Sequence, residues 1–298
     1  MLETGRPIAK KLGVFARDIK LSHTVFALPF AVLSVVLAWQ QNGGPIVGKL
    51  AMVLACMVTA RTAAMAANRL LDAELDAANP RTAGRAIPSG RLSRGFFVVA
   101  MGLCGAGFIV ATAGFLWYRN PWPLRLALPV LGFVCAYPLL KRFTRLCHYY
   151  LGMALGLAPI CAWIAISGRL DWAPVIMAAA VVLWTAGFDI IYACQDYESD
   201  LQTGVVSVPA RLGVGNALWV ARITHAVCVV ILVLLGWYVP QFGILYFVGA
   251  GAAVVLLIVE HSLVNPGDLS KVGLAFFTVN GIISLLLGTL GIIDVLRH

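Results

Sequence analysis

Only thirteen of the 298 residues are acidic, and seven of those fall in two short stretches. The first reads Asn68-Arg69-Leu70-Leu71-Asp72-Ala73-Glu74-Leu75-Asp76. Asn68, Asp72 and Asp76 recur at every fourth position, a spacing that stacks three oxygen ligands along one helix face. Carboxylates one turn apart repel each other unless a cation sits between them. Magnesium is the natural hard cation for such a site. It favours oxygen, keeps several waters, and usually takes one or two carboxylates plus substrate phosphates.

The second stretch runs from Asp189 through Tyr192 to Asp196, Glu198 and Asp200. Asp196 and Asp200 repeat the four-residue carboxylate spacing. Asp189 lies about two turns earlier near the same face, with Tyr192 between. A solvated helix end paired with arginines would account for one such cluster, but two matching clusters in a chain so poor in acids favour a ligand site. Cations follow closely: Arg81 and Arg85 in the turn-rich segment after the first cluster, and Lys141 and Arg142 after Tyr137-Pro138-Leu139-Leu140. Cationic side chains beside metal-binding carboxylates suit a diphosphate. Positive-inside topology also places cations there, and the two readings are compatible.

These residues need elements to position them. The chain is 61% hydrophobic, 12% charged, and has a mean hydropathy of +0.90. So large an apolar excess along the whole length reads as an all-α integral membrane protein, in one domain over 1–298. Apolar runs predict nine transmembrane helices, at 21–41, 46–77, 93–117, 124–141, 146–167, 172–198, 213–238, 242–262 and 271–296. Each is long enough for a bilayer core of about 30 Å. The first run follows a basic amphipathic start, lacks an evident small-residue cleavage site, and is expected to be a span rather than a signal peptide.

With the N-terminus in the cytoplasm, fifteen Lys and Arg flank the cytoplasmic ends and five the opposite ends, while Arg61 and Arg69 fall inside the second run. Both acidic clusters then face the cytoplasm. Carboxylates and arginines in membrane helices are functional candidates by default. Arg61, seven residues before Asn68, is therefore a candidate for the protein interior, the alternative being an internal pair with a carboxylate. The net charge of +9 is accounted for by loop bias, and no nucleic-acid partner is expected. Seven scattered cysteines form no CxxC pair, so neither a disulfide nor a cysteine metal site is expected.

Asn68-xxx-Asp72-xxx-Asp76 together with Tyr192-Ala193-xx-Asp196-xxx-Asp200 resembles the paired signature of the UbiA superfamily of membrane prenyltransferases. Tyr137-xxx-Lys141-Arg142 resembles that family's fourth-helix end, and the likeness extends over nearly the whole chain. It implies nine helices around a central cavity, with a polar cap on the cytoplasmic side and a side opening for a lipid tail. It assigns Asn68, Asp72, Asp76, Asp196 and Asp200 to magnesium and diphosphate. Lys141 and Arg142 would contact the diphosphate, with Arg81 and Arg85 as further candidates. Tyr137 would lie near the allylic carbon and Asp189 would face an aromatic acceptor. Tyr192 joins these two as a catalytic candidate.

The implied activity is magnesium-dependent transfer of a polyprenyl group from its diphosphate to a ring carbon of a hydroxylated aromatic acid, in quinone biosynthesis in a bacterial inner membrane. The segments Ile19–Phe30 and Ser207–Gly213 resemble the 4-hydroxybenzoate polyprenyltransferase-like branch. Its members act on 4-hydroxybenzoate or, in a menaquinone route, on 1,4-dihydroxy-6-naphthoate. Both acceptors carry a carboxylate, for which Arg61, Arg69 and Lys20 are candidate partners and His23 a polar contact. An ion-coupled transporter is the other class that carries intramembrane acids, but its sites usually lie near the bilayer midplane rather than at one face.

Overall fold

The computed structural model describes residues 7–20 and 26–297. His23, with the rest of 21–25, lies outside the described residues. Among those described there is no strand, only an isolated bridge between Asn265 and Asp268.

Among the described residues, eight helical segments are long and apolar enough to cross a membrane. They are built from α3 (Val47–Leu71), α5 (Arg94–Ala113), α6 (Trp122–Leu140), α7 (Cys147–Ser167), α8 (Trp172–Ala193), α11 (Val214–Tyr238), α12 (Ile244–Ser262) and α14 (Asn280–Arg297). The protein is an integral membrane protein. An apolar helix α2 (Leu28–Asn42) precedes them, and α1 (Ile8–Asp18) is a separate amphipathic helix. Short helices α4 (Ala73–Ala78), α9 (Tyr197–Thr203), α10 (Val208–Leu212) and α13 (Val272–Leu274) sit at the ends of the long ones.

Local chemistry sets several boundaries. Ser93 caps α5 by accepting from Phe96 N, and Asp171 caps α8 by accepting from Trp172 N. The second and sixth apolar runs, expected to be continuous, are interrupted where they meet their aspartates. α3 stops at Leu71, Asp72 takes a non-helical ψ of 3°, and α4 resumes at Ala73. α8 passes through a 3₁₀ turn at Cys194–Asp196 before α9. At the first break the buried Asp72 side chain accepts from Asn68 and Lys141.

α7 and α8 pack with their backbones close. A Cβ on Gly152 would stand 2.4 Å from the Val182 carbonyl oxygen, and one on Gly156 would stand 2.9 Å from Val182 Cγ2. This small-xxx-small pair lets the helices that carry His148 and Asp189 approach each other. Gly152→Val is expected to destabilise the fold by about 1–3 kcal/mol through overpacking. Gly132→Ala, where nothing lies within 4 Å, is the neutral control. Thermal unfolding in detergent reads the difference, and equal midpoints would contradict the close packing.

Candidate active site

One cavity of about 480 Å³ runs down the bundle, lined mainly by α3, α5, α6, α7 and α8. Its mouth holds Asp72, Asp76, Arg81, Lys141, Tyr192, Asp196 and Asp200, and Asp189 lines its wall. Its depth is apolar: Val53, Phe115, Leu126 and Ala162 line the far part. Val53 lies about 28 Å from Asp72 along α3 at 1.5 Å per residue. A charged mouth over a long apolar bore is complementary to a molecule with an anionic head and a hydrocarbon tail.

Most of the carboxylates at the mouth are held by cations. Lys141 Nζ lies 2.6 Å from Asp72 Oδ2, and Asn68 Nδ2 donates to the same oxygen at 2.7 Å. Arg85 Nη1 donates to both oxygens of Asp76, at 2.7 and 2.8 Å. Arg81 forks onto Asp196, Nε to Oδ1 at 2.8 Å and Nη2 to Oδ2 at 2.5 Å, while its Nη1 donates to the Tyr192 hydroxyl at 2.7 Å. Asn79 Nδ2 adds a bond to Asp196 Oδ1 at 2.7 Å. Asp200 accepts from Ser207 Oγ at 2.7 Å. The two acidic clusters, more than a hundred residues apart in sequence, thus meet through Arg81 and Asn79.

Asp72 is 1% exposed, and its Oδ1 is buried without a hydrogen-bond partner. Burial pushes its carboxyl up from the ordinary carboxylate range, and Lys141 opposes that shift. An orphaned buried anionic oxygen is expensive, and a cation at this position would satisfy it. Among the described residues, no three Asp, Glu, His or Cys side chains converge tightly enough to cage a metal ion alone. The donor set fits magnesium held by one or two carboxylates, with the ligand's phosphates completing the shell. Asn68 contributes less directly than its spacing implied. Its Oδ1 accepts from Arg69 Nη1, and its amide nitrogen orients Asp72.

On the wall of the cavity, Asp189 Oδ2 lies 2.7 Å from His148 Nδ1. The Val208 backbone N–H points at His148 Nε2, 3.2 Å away. A backbone N–H can only donate, so Nε2 accepts and the ring proton sits on Nδ1, donated to Asp189. His148 therefore orients Asp189. Tyr137, one turn before Lys141, also lines the cavity, with its hydroxyl 3.9 Å from Met65 Sδ.

The cations inside the second run separate clearly. Arg69 is neutralised: Nε bonds Asp18 Oδ2 at 3.0 Å and Nη2 bonds the Asp18 carbonyl at 2.8 Å. Arg61 meets no carboxylate among the described residues. Its Nη2 donates to the Lys20 carbonyl at 2.7 Å, and its buried Nη1 has no partner. Lys20 has a left-handed φ of 49°, and its Nζ lies 3.4 Å from the Tyr192 hydroxyl. Arg61 and Lys20 both line the cavity, as does Arg69.

Arg142 does not join the site. It is exposed and donates from Nη2 to the Leu71 carbonyl, satisfying the end of α3. Sequence reasoning missed Asn79, His148 and Ser207, and it also missed Phe276. That ring packs at a tilt against Tyr192, centroids 4.2 Å apart, from a π-helical turn, Ala275–Val279. The signal available for His148 was a histidine at the start of an apolar helix; the others carried none.

A model described as the UbiA prenyltransferase family matches residues 27–282. A 4-hydroxybenzoate octaprenyltransferase of Marinobacter nauticus is 28% identical, over 91% of this chain and 90% of its own length. A mitochondrial 4-hydroxybenzoate polyprenyltransferase of Drosophila melanogaster is 32% identical, over 77% of this chain and 59% of its own length. Among solved structures, the apo form of a UbiA homologue from Aeropyrum pernix K1 superposes with a TM-score of 0.81 at 28% identity, covering 92% of this chain and 98% of that one. A UbiA homologue from Archaeoglobus fulgidus, bound to DMAPP and Mg2+, shares the fold at a TM-score of 0.71 and 18% identity, over 95% and 99%.

Proposed function

Because the chain belongs to the UbiA prenyltransferase family, we propose that this membrane prenyltransferase joins a polyprenyl group to a ring carbon of a hydroxylated aromatic acid, releasing diphosphate. The acceptor is 4-hydroxybenzoate or 1,4-dihydroxy-6-naphthoate, and the product is a quinone precursor. One observation carries this reading: two carboxylate clusters, bound together by Arg81 and neighboured by Lys141, stand at the mouth of a long apolar bore. The named relatives that use 4-hydroxybenzoate support the choice of acceptor. In the membrane, α2 serves as a ninth span. The aspartate-bearing cap and the N-terminus face the cytoplasm of a bacterial inner membrane, as the distribution of Lys and Arg favours.

The residues divide the work. Asp72, Asp76, Asp196 and Asp200 hold the metal, with Asn68 orienting Asp72. Magnesium bound there would supply positive charge to the departing diphosphate. Lys141, Arg81 and Arg85 exchange their carboxylate partners for phosphate oxygens and stabilise the same charge. The apolar bore excludes water from the allylic cation, and the face of the Tyr137 ring stabilises it. Asp189 accepts a hydrogen bond from the acceptor's phenol, which increases the nucleophilicity of the ring carbon. The ring carbon loses its proton as it gains the prenyl group.

Arg61 is the cation for the acid's carboxylate, with Lys20 beside it, because Arg69 is already committed to Asp18. Loss of a charge-assisted hydrogen bond is worth about 1.5–3 kcal/mol. Arg61→Ala is therefore expected to raise KM for the aromatic acid by roughly 10- to 150-fold, with KM for the prenyl diphosphate unchanged. Equal rises in both would move Arg61 out of the acceptor site. The acceptor itself is identified by supplying both acids together with magnesium and one prenyl diphosphate, then weighing the extracted products. A single prenylated acid names the substrate. Turnover of neither acid, with turnover of an uncharged phenol, overturns the acidic acceptor.

A further inference from the structure

Helix α1 carries one apolar stripe: Ile8, Leu12 and Phe15 fall within a narrow arc of its surface, and Ile19 at its C-cap extends the line. The two ends of that stripe have different fates. Phe15 and Ile19 are buried, and Phe15 meets Phe96 and Phe97 edge-on at 5.6 and 5.3 Å. Ile8 and Leu12 point the same way but overhang the bundle, 74% and 53% exposed. Beside this contact, α5 presents Val98, Val99 and Leu103, each more than half exposed on a helix long enough to span the bilayer. Ile8 and Leu12 thus add exposed apolar area to the end of a stripe that packs on a helix able to span the bilayer. Lys10 and Arg17 lie on the opposite face and Lys11 on the flank, with no acidic residue between Pro7 and Arg17.

We propose that α1 is an interfacial anchor for an anionic leaflet. Ile8 and Leu12 enter the boundary between headgroups and acyl chains, while Lys10, Lys11 and Arg17 bind anionic phospholipid headgroups. The anchor is mechanically tied to the cavity. Asp18, its last residue, holds Arg69 and accepts from the Ala86 N–H at 2.7 Å, and Arg61 grips the carbonyl of Lys20. Docking of α1 on the lipid surface therefore fixes the turn that delivers Lys20 to Tyr192. The inference depends on the fold and the membrane setting, not on the choice of acceptor.

Limited trypsin cleavage of the full chain in nanodiscs tests it. Cleavage after Lys10 and Lys11 is measured against cleavage after the exposed Arg145, which corrects for protease attracted to charged lipid. Each surface cation contributes about fivefold in affinity for an anionic leaflet. The normalised rate is expected to be on the order of tenfold slower in discs containing phosphatidylglycerol than in discs of phosphatidylcholine alone. In an Ile8→Ser, Leu12→Ser variant it should be fast in both. Equal rates for the unaltered chain in the two lipids overturn the headgroup part of the proposal, and protection that survives the double substitution overturns the insertion. Protection in detergent that rises with protein concentration assigns the face to a second copy instead.

Discussion

Asp72→Asn and Asp196→Asn are each expected to lower magnesium-dependent product formation at least about a thousand-fold. Removing one preorganised partner of a developing charge costs roughly 10²–10³ in turnover, and under the proposed assignment each substitution would also remove a metal-binding charge. The loss has a second cause. Asp72 holds Lys141, and Asp196 holds Arg81 and Asn79, so each change releases cations that organise the diphosphate pocket. Glu74 supplies the internal control. It belongs to the same acidic stretch, but its side chain is 88% exposed and faces Arg94 at the surface, 3.4 Å away. Glu74→Gln is expected to leave turnover within about twofold, since an exposed pair contributes little. Turnover assays on purified protein in nanodiscs, with magnesium titrated, separate the two classes. Retained activity in both aspartate variants would sink the metal assignment.

Asp189→Asn is expected to lower kcat by about 10²–10⁴, the usual contribution of a positioned acid or base. Binding of a non-reactive prenyl thiodiphosphate should be unchanged, because Asp189 sits on the wall beside His148 rather than among the carboxylates that Arg81, Arg85 and Lys141 hold. His148→Ala should reproduce a smaller part of the loss. It leaves Asp189 in place but frees its orientation and orphans the Val208 N–H. The split between chemistry and prenyl binding is the diagnostic. If Asp189→Asn weakens the thiodiphosphate in parallel with kcat, Asp189 belongs to the metal site and not to the acceptor.

The sequence disclosed what repeats locally. Eight of the expected apolar runs correspond to helical segments able to span a membrane, because hydropathy over a window of that length is a one-dimensional property. The four-residue spacing of Asn68, Asp72 and Asp76 likewise survives the break in the helix. The Asp72 N–H still bonds the Asn68 carbonyl at 2.9 Å, and the Asp76 N–H bonds the Asp72 carbonyl at 2.7 Å.

What stayed hidden depends on pairs far apart in the chain. Arg69 and Asp18 are 51 residues apart, and His148 and Asp189 are 41 apart. No periodicity links such partners, so Arg69 looked as available for a ligand as Arg61. Arg142 was misleading for the opposite reason. Its neighbour Lys141 turns inward, while one residue further round the end of α6 the side chain reaches the exposed end of α3. The breaks at Asp72 and at Cys194–Asp196 were unreadable as well, because a hydrophobic period does not register one disturbed turn.

The proposed reaction is carbon–carbon bond formation in this cavity between a prenyl diphosphate and an aromatic acid. It is tested most directly by weighing the lipid extract after the purified protein in nanodiscs meets both substrates. With magnesium present, a species with the mass of the acid plus the prenyl group less one hydrogen is expected, absent when a chelator is added. Recovery of unchanged acid, with the prenyl diphosphate intact or merely hydrolysed to its alcohol, would contradict it.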